Sequence, residues 1–367
     1  MLKLKILFLI VLIGCGCEEK PVVVNFQQGY HGKISEGQSK LIHTEAKGFF
    51  NQTQLSIAII KNGKPEFYGV KIENDTMFSV ENQDSVFEIG SISKVFTATL
   101  LADLSLDGKL NLNDPAGKYL PWKLKNTPEF TLQQLSNHSS GLPRLPDNLI
   151  LSEVDMSNPY KDYGEEKLGF YLTEQLELQQ DPGLKFDYSN LGVGLLGYML
   201  TRIDSSSYEE MIQNRIAIPF QMESTTVNRE KVMPQLVKGL DVEGKETPNW
   251  DLNVLQGAGA ILSSTQDLTK FALAQFNPAN QTLALTQKKT FSVTAYEKAI
   301  GLGWMIENKK DGKWLWHGGG TGGYSSSFTL DLDRKNAVII LSNVSGFSEN
   351  VVNISNLGSR LMEMIED

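Results

Sequence analysis

Gly90-Ser91-Ile92-Ser93-Lys94-Val95-Phe96-Thr97-Ala98-Thr99-Leu100-Leu101-Ala102-Asp103-Leu104 decides how this chain of 367 residues is read. Val95, Phe96, Leu100, Leu101 and Leu104 recur at helical spacing and predict a buried helix over 91–106. Asp107-Gly108 stops it, and Asn113-Asp114-Pro115 turns the chain. Residues three apart share a helix face, so the Ser91 hydroxyl is expected beside the Lys94 amine. A hydroxyl is a weak nucleophile until a base takes its proton. A lysine becomes that base when burial disfavours its ammonium form. Ser-x-x-Lys also describes a plain serine N-cap on a core helix. Here it occurs once and opens a strong apolar helix pattern.

Two further stretches stand behind it. Tyr188-Ser189-Asn190 follows the turn Asp181-Pro182-Gly183 and precedes the apolar run Leu191-Gly192-Val193-Gly194-Leu195-Leu196. Trp316-His317-Gly318-Gly319-Gly320-Thr321-Gly322-Gly323-Tyr324 lies between two strand patterns, Gly303-Trp304-Met305-Ile306 and Phe328-Thr329-Leu330-Asp331-Leu332. Glycine inside a strand often marks close approach by another backbone or a ligand.

With these three motifs the chain resembles the serine β-lactamase and penicillin-binding superfamily, from about residue 55 to the end. Within it the likeness is to the class C β-lactamase branch with its D-peptidases and esterases. The resemblance implies an α+β fold of the β-lactamase/transpeptidase type, an antiparallel sheet flanked by helices with an inserted helical lobe. It implies Ser91, Lys94 and Tyr188 as catalytic residues, and the backbone N–H groups of Ser91 and Gly320 as the oxyanion hole. Asn190 would contact the substrate amide or position the lysine. His317, Gly318 and Gly319 would bind substrate, because they fall at the family's Lys-Thr-Gly position. Gln133-Gln134-Leu135-Ser136-Asn137-His138-Ser139-Ser140-Gly141-Leu142-Pro143 resembles a further family signature, in which His138 would hold a loop rather than move protons.

The departures from the pattern bear on substrate. His317 and Gly318 stand where a lysine and a threonine would hold a β-lactam carboxylate, and Gly259 stands where class C enzymes carry a tyrosine. Weak β-lactam hydrolysis is therefore expected, with better turnover of esters or D-amino-acid peptides. Below about pH 6.5, where imidazole gains its charge, turnover of carboxylate substrates is expected to improve. The rival readings are a true class C β-lactamase and a non-turnover lipoprotein that binds or senses peptidoglycan or a β-lactam.

Composition sets the remaining bounds. The apolar fraction of 41% suffices for a large core, and the net charge of −9 gives no electrostatic footprint for nucleic acid. The four histidines, His31, His43, His138 and His317, show no zinc-site spacing, and no phosphate-cradling loop occurs. No metal or cofactor is expected, and the chain is expected to act as a monomer on a small-molecule or peptide substrate. Both cysteines, Cys15 and Cys17, lie near the start, so the folded body cannot form a disulfide of its own. Lys3 and Lys5 precede an apolar run at 6–13 too short to span a bilayer. Leu12-Ile13-Gly14-Cys15 resembles a bacterial lipobox. It implies a signal peptide at 1–14, lipidation of Cys15 and a tether at 15–28. The protein would then be lipid-anchored in the bacterial cell envelope, on the periplasmic or outer-surface side, meeting the membrane through that lipid. The catalytic domain would cover 29–367, with an α/β lobe at about 29–115 and 254–367 and a helical lobe at about 116–253.

Overall fold

The computed structural model describes residues 34–293, 298–310 and 312–366. The expected signal peptide, Cys15 and the tether lie outside the described residues. Among those described, nine antiparallel strands form one sheet, in the order β3 (Thr76–Val80), β2 (Lys64–Glu73), β1 (Gln54–Lys61), β13 (Asn336–Ser342), β12 (Ser325–Asp331), β11 (Gly312–Gly320), β10 (Met305–Lys309), β9 (Lys298–Ile300) and β8 (Phe291–Val293). Two short pairs stand apart: β4 (Val86–Glu88) with β7 (Leu262–Ser264), and β5 (Gly239–Leu240) with β6 (Glu246–Thr247).

The β1–β2 hairpin turns at Asn62 and Gly63, with φ of 53° and 75° and Lys61 opposite Lys64. Positive φ at both central residues is what a two-residue turn matched to strand twist requires. The β12–β13 hairpin falls at Asp333-Arg334-Lys335-Asn336, which reads as a turn between the strand patterns 328–332 and 338–341, with Lys335 at φ 55°.

Side chains alternate along a strand, so a sheet covered on both faces shows unbroken apolar runs. Ile57, Ile59, Val338 and Ile340 pack on one face, against α1 (Glu36–Ala46) and α9 (Val351–Glu366) through Ile42, Leu357 and Leu361. Ala58, Ile60, Ile339 and Leu341 pack on the other, against α2 (Ser93–Leu106) and α7 (Thr265–Gln275) through Phe96, Leu100 and Phe271. Burying each large side chain fully contributes about 1.5–3 kcal/mol. α2 is buried all round from Ser93 to Ala102, which places it at the centre of the molecule.

Between the sheet's two halves run α3 (Leu132–Ser136), α4 (Glu165–Phe170), α5 (Asn190–Asp204) and α6 (Tyr208–Ile212); α8 (Gln281–Thr286) follows α7. This middle stretch is less helical than its sequence suggested, with turns and loops joining short helices. The architecture is the expected one of mixed helices and an antiparallel sheet. It brings the start of α2, the end of β11 and the start of α5 to one place.

Candidate active site

Ser91 lies on a tight 3-10 turn, Gly90–Ile92, that leads straight into α2. Gly90 has φ 50°, and a Cβ there would stand 2.6 Å from the Gly320 nitrogen. Only glycine meets both demands. The serine therefore sits against the end of β11, where Ser91 and Gly320 share the wall of a cavity of about 30 Å³ with Tyr160, Asn190 and Trp250.

Lys94 Nζ lies 2.9 Å from Ser91 Oγ and 2.7 Å from the Ala258 carbonyl oxygen, to which it donates. The side chain is buried. Loss of hydration holds its pKa well below the lysine range, and the nearby Arg144 charge adds to the effect. The amine is thus readied as a base. Tyr188 is hydrogen-bonded to Ser91, and burial pushes its phenol up to about 12 against the pull of that bond and of Arg144. At neutral pH it is a protonated phenol. Its ring lies 5.0 Å from Lys94 Nζ and 5.3 Å from the Arg144 guanidinium carbon.

Tyr188 is held by its neighbours. His138, buried at φ 60°, stacks on it with ring centroids 4.3 Å apart. The Ser189 N–H donates to His138 Nδ1 at 3.2 Å, and the Asp187 N–H donates to the His138 carbonyl. The Ser189 hydroxyl caps α5 by accepting from the Gly192 N–H, and it donates to the Pro143 carbonyl. Burial pushes the His138 pKa well below the usual histidine value, toward the neutral ring. These contacts are those of a residue that fixes the 187–189 loop.

Asn190 begins α5 and lines the cavity, yet its side chain bonds Tyr160. The second hydrogen bond of the lysine goes to Ala258, a backbone partner that sequence motifs cannot reveal. Gly318 and Gly319 lie on β11 along a larger groove of about 690 Å³ that opens from Ser91.

His317 corrects one expectation. Its Nδ1 lies 2.7 Å from the Gly318 carbonyl oxygen, which makes Nδ1 the protonated nitrogen and leaves Nε2 as an acceptor. The ring is 3% exposed. Burial, with Lys94 nearby, lowers its pKa to about 3. Imidazole therefore gains no charge just below pH 6.5 and does not replace a lysine there. Sequence reasoning also missed Arg144, which reaches this groove from the loop after Pro143. Among the described residues, no group of three His, Cys, Asp or Glu side chains is placed to hold a metal ion, and no helix is long and apolar enough to cross a membrane.

The profile of the "Beta-lactamase" family matches residues 52–357. The chain is 28% identical over 311 residues to "Protein flp" of Staphylococcus aureus strain MRSA252, covering 79% of this chain and 59% of that one. It thus spans well under two thirds of that relative. It is 27% identical over 258 residues to a beta-lactamase of Pseudomonas fluorescens, covering 69% of each. Among solved structures, a beta-lactamase/D-alanine carboxypeptidase from Pseudomonas syringae superposes with a TM-score of 0.73 at 22% identity, covering 89% of this chain and 99% of that one. An octameric penicillin-binding protein homologue from Pyrococcus abyssi does so at 0.74 and 25% identity, covering 89% of this chain and 77% of that one.

Proposed function

The chain belongs to the beta-lactamase family of serine hydrolases, and on that premise we propose that it cleaves amides or esters of D-amino-acid peptides or small acyl groups through an acyl-enzyme on Ser91. The observation that carries this reading is the buried Lys94 amine, 2.9 Å from Ser91 Oγ and shifted toward its neutral form. Ser91 Oγ attacks the substrate carbonyl carbon as its proton passes to Lys94. The oxyanion rests on the N–H groups of Ser91 and Gly320, donors of a kind that stabilise such a charge by several kcal/mol. The Tyr188 phenol gives its proton to the leaving group and recovers one from the Lys94 ammonium. Water then attacks the acyl-enzyme, its proton returns through the same pair, and Ser91 is released with its hydrogen.

Two observations favour the D-peptidase and esterase side of a class C-like branch over a true β-lactamase. His317 is neutral where a cation would hold the β-lactam carboxylate, and Gly318 supplies no hydroxyl. We further propose that the protein works as a monomer in the bacterial cell envelope, lipid-anchored through Cys15.

The test joins labelling to turnover. A fluorophosphonate should add its mass to the peptide carrying Ser91 and leave Ser91→Ala unmodified. Hydrolysis of a nitrophenyl ester and a D-alanyl peptide should exceed that of nitrocefin in kcat/KM. Labelling that survives Ser91→Ala refutes the nucleophile. Nitrocefin turnover near the diffusional ceiling would hand the assignment to the true β-lactamase.

A further inference from the structure

The groove that opens from Ser91 has an uneven chemistry. Among the described residues lining it, Arg144 is the only one whose side chain carries a fixed charge, and no Asp or Glu faces it. Arg144 is exposed to solvent, and among the described residues no carboxylate pairs with it. Its guanidinium stands over the Tyr188 ring, 5.3 Å from the centroid. Its backbone carbonyl accepts the N–H groups of Asn190 at 3.0 Å and Leu191 at 3.1 Å. Its base is thereby fixed to the start of α5, and its head lies beside the reacting groups. Much of the rest of the lining is apolar: Leu151 is 40% exposed, Met156 54% and Phe347 65%, with Leu145 and Trp250 in the same groove. A planar cation with free donors, held against an aromatic ring in an acid-free groove, suits a carboxylate. The exposed apolar residues around it suit a hydrocarbon or aromatic body.

We propose that Arg144 is a specificity-determining residue, and that the substrates of Ser91 are amphipathic acids, whose apolar body lies along the Leu151, Met156 and Phe347 wall and whose carboxylate meets the Arg144 guanidinium. This rests on the serine-hydrolase reading and names the substrate class for it.

The experiment compares matched esters. 4-Nitrophenyl butyrate and mono-4-nitrophenyl glutarate differ by a carboxylate on the acyl side. Phenyl butyrate and 3-carboxyphenyl butyrate differ by one on the leaving group. Each kcat/KM ratio, acid over neutral, is measured at one pH in wild type, Arg144→Gln and Arg144→Lys. The influence of Arg144 on Lys94 acts on both members of a pair and cancels in the ratio. In one arm the ratio should fall about tenfold in Arg144→Gln, the lower end for a charge-assisted bond open to solvent, and recover in part in Arg144→Lys. The arm that responds tells on which side of the scissile bond the carboxylate lies. A second readout needs no turnover: mono-butyl glutarate, for the acyl side, or 3-carboxyphenyl butyrate, for the leaving-group side, should bind Ser91→Ala about tenfold more tightly than Ser91→Ala/Arg144→Gln in calorimetry. Unchanged ratios in both arms, or equal affinities for both acids, overturn the role of Arg144 while the neutral esters still report an active serine. Absent turnover and absent Ser91 labelling overturn the hydrolase reading instead, and the binding comparison still decides for or against Arg144.

Discussion

Replacing His317 by Asn should flatten the acid side of the stability profile, by an amount the burial of the ring sets. In the unfolded chain a histidine takes its proton near its ordinary value of 6.5, whereas the folded ring does so only near 3. Between those values the unfolded state binds more protons than the native state, so stability falls as pH falls. The sign is that of a depressed pKa: full stability above 6.5, progressive loss below it, and no further loss below about 3. At pH 5 the imbalance comes to roughly 1.5 pKa units, or about 2 kcal/mol lost relative to pH 7. Urea unfolding at pH 7 and pH 5 measures this directly. Wild type should lose about 2 kcal/mol more than His317→Asn over that interval, and the buried His138 adds a loss of the same sign to both proteins. Imidazole NMR supplies a second view, with the ring signal that vanishes in His317→Asn showing no inflection between pH 5 and pH 8. Parallel losses in the two proteins, or an inflection near 6.5, would refute the buried neutral ring. They would restore the idea that His317 charges in mild acid.

Two other outcomes follow from the site. Lys94→Ala and Tyr188→Phe should each lower kcat strongly, and the double variant should lose far less than the product of the two, since the proton Lys94 takes from Ser91 is the one that replaces the proton Tyr188 gives to the leaving group; full additivity in single-turnover acylation would argue for separate roles. Expressed in a bacterium, the full chain should fractionate with membranes and Cys15→Ser should not, and mature wild type with a free, unacylated N-terminus would contradict lipidation.

What the sequence displayed was governed by local rules. The Asn62-Gly63 turn, the apolar spacing of α2 and the Ser91/Lys94 offset each depend on a few neighbouring residues, so their letters announce them. The centre of the sheet was legible for a related reason: both faces of β1 and β13 are covered, and the strands read as unbroken apolar runs. The features left unread depend on distant encounters. The second anchor of Lys94 is a main-chain oxygen 164 residues away, which any side chain at position 258 could present. The neutrality of His317 follows from its burial beside Lys94, and the placing of Arg144 from the meeting of two loops at Tyr188. None of these leaves a periodic or motif trace. The short helices of the middle stretch are set by tertiary packing that helix propensity alone does not report.

The glycines that bring Ser91 to β11 also decide which heritable changes this wall of the groove can absorb. A Cβ at Gly319 would run into the Ile89 carbonyl oxygen, and one at Gly320 would come within 3.1 Å of Gly346 Cα. Gly319 is closed to drift by backbone, and at Gly320 the neighbouring backbone would have to give by a few tenths of an ångström. Gly318 differs, for a Cβ there meets nothing nearer than 3.5 Å. A serine or threonine hydroxyl could arise at 318 by substitution at a single residue, without moving the strand that carries Gly320. Over evolutionary time β11 is thus a fixed wall with one adjustable position, and diversification toward new acyl or leaving groups is pushed to the facing loops at 144–156 and 347.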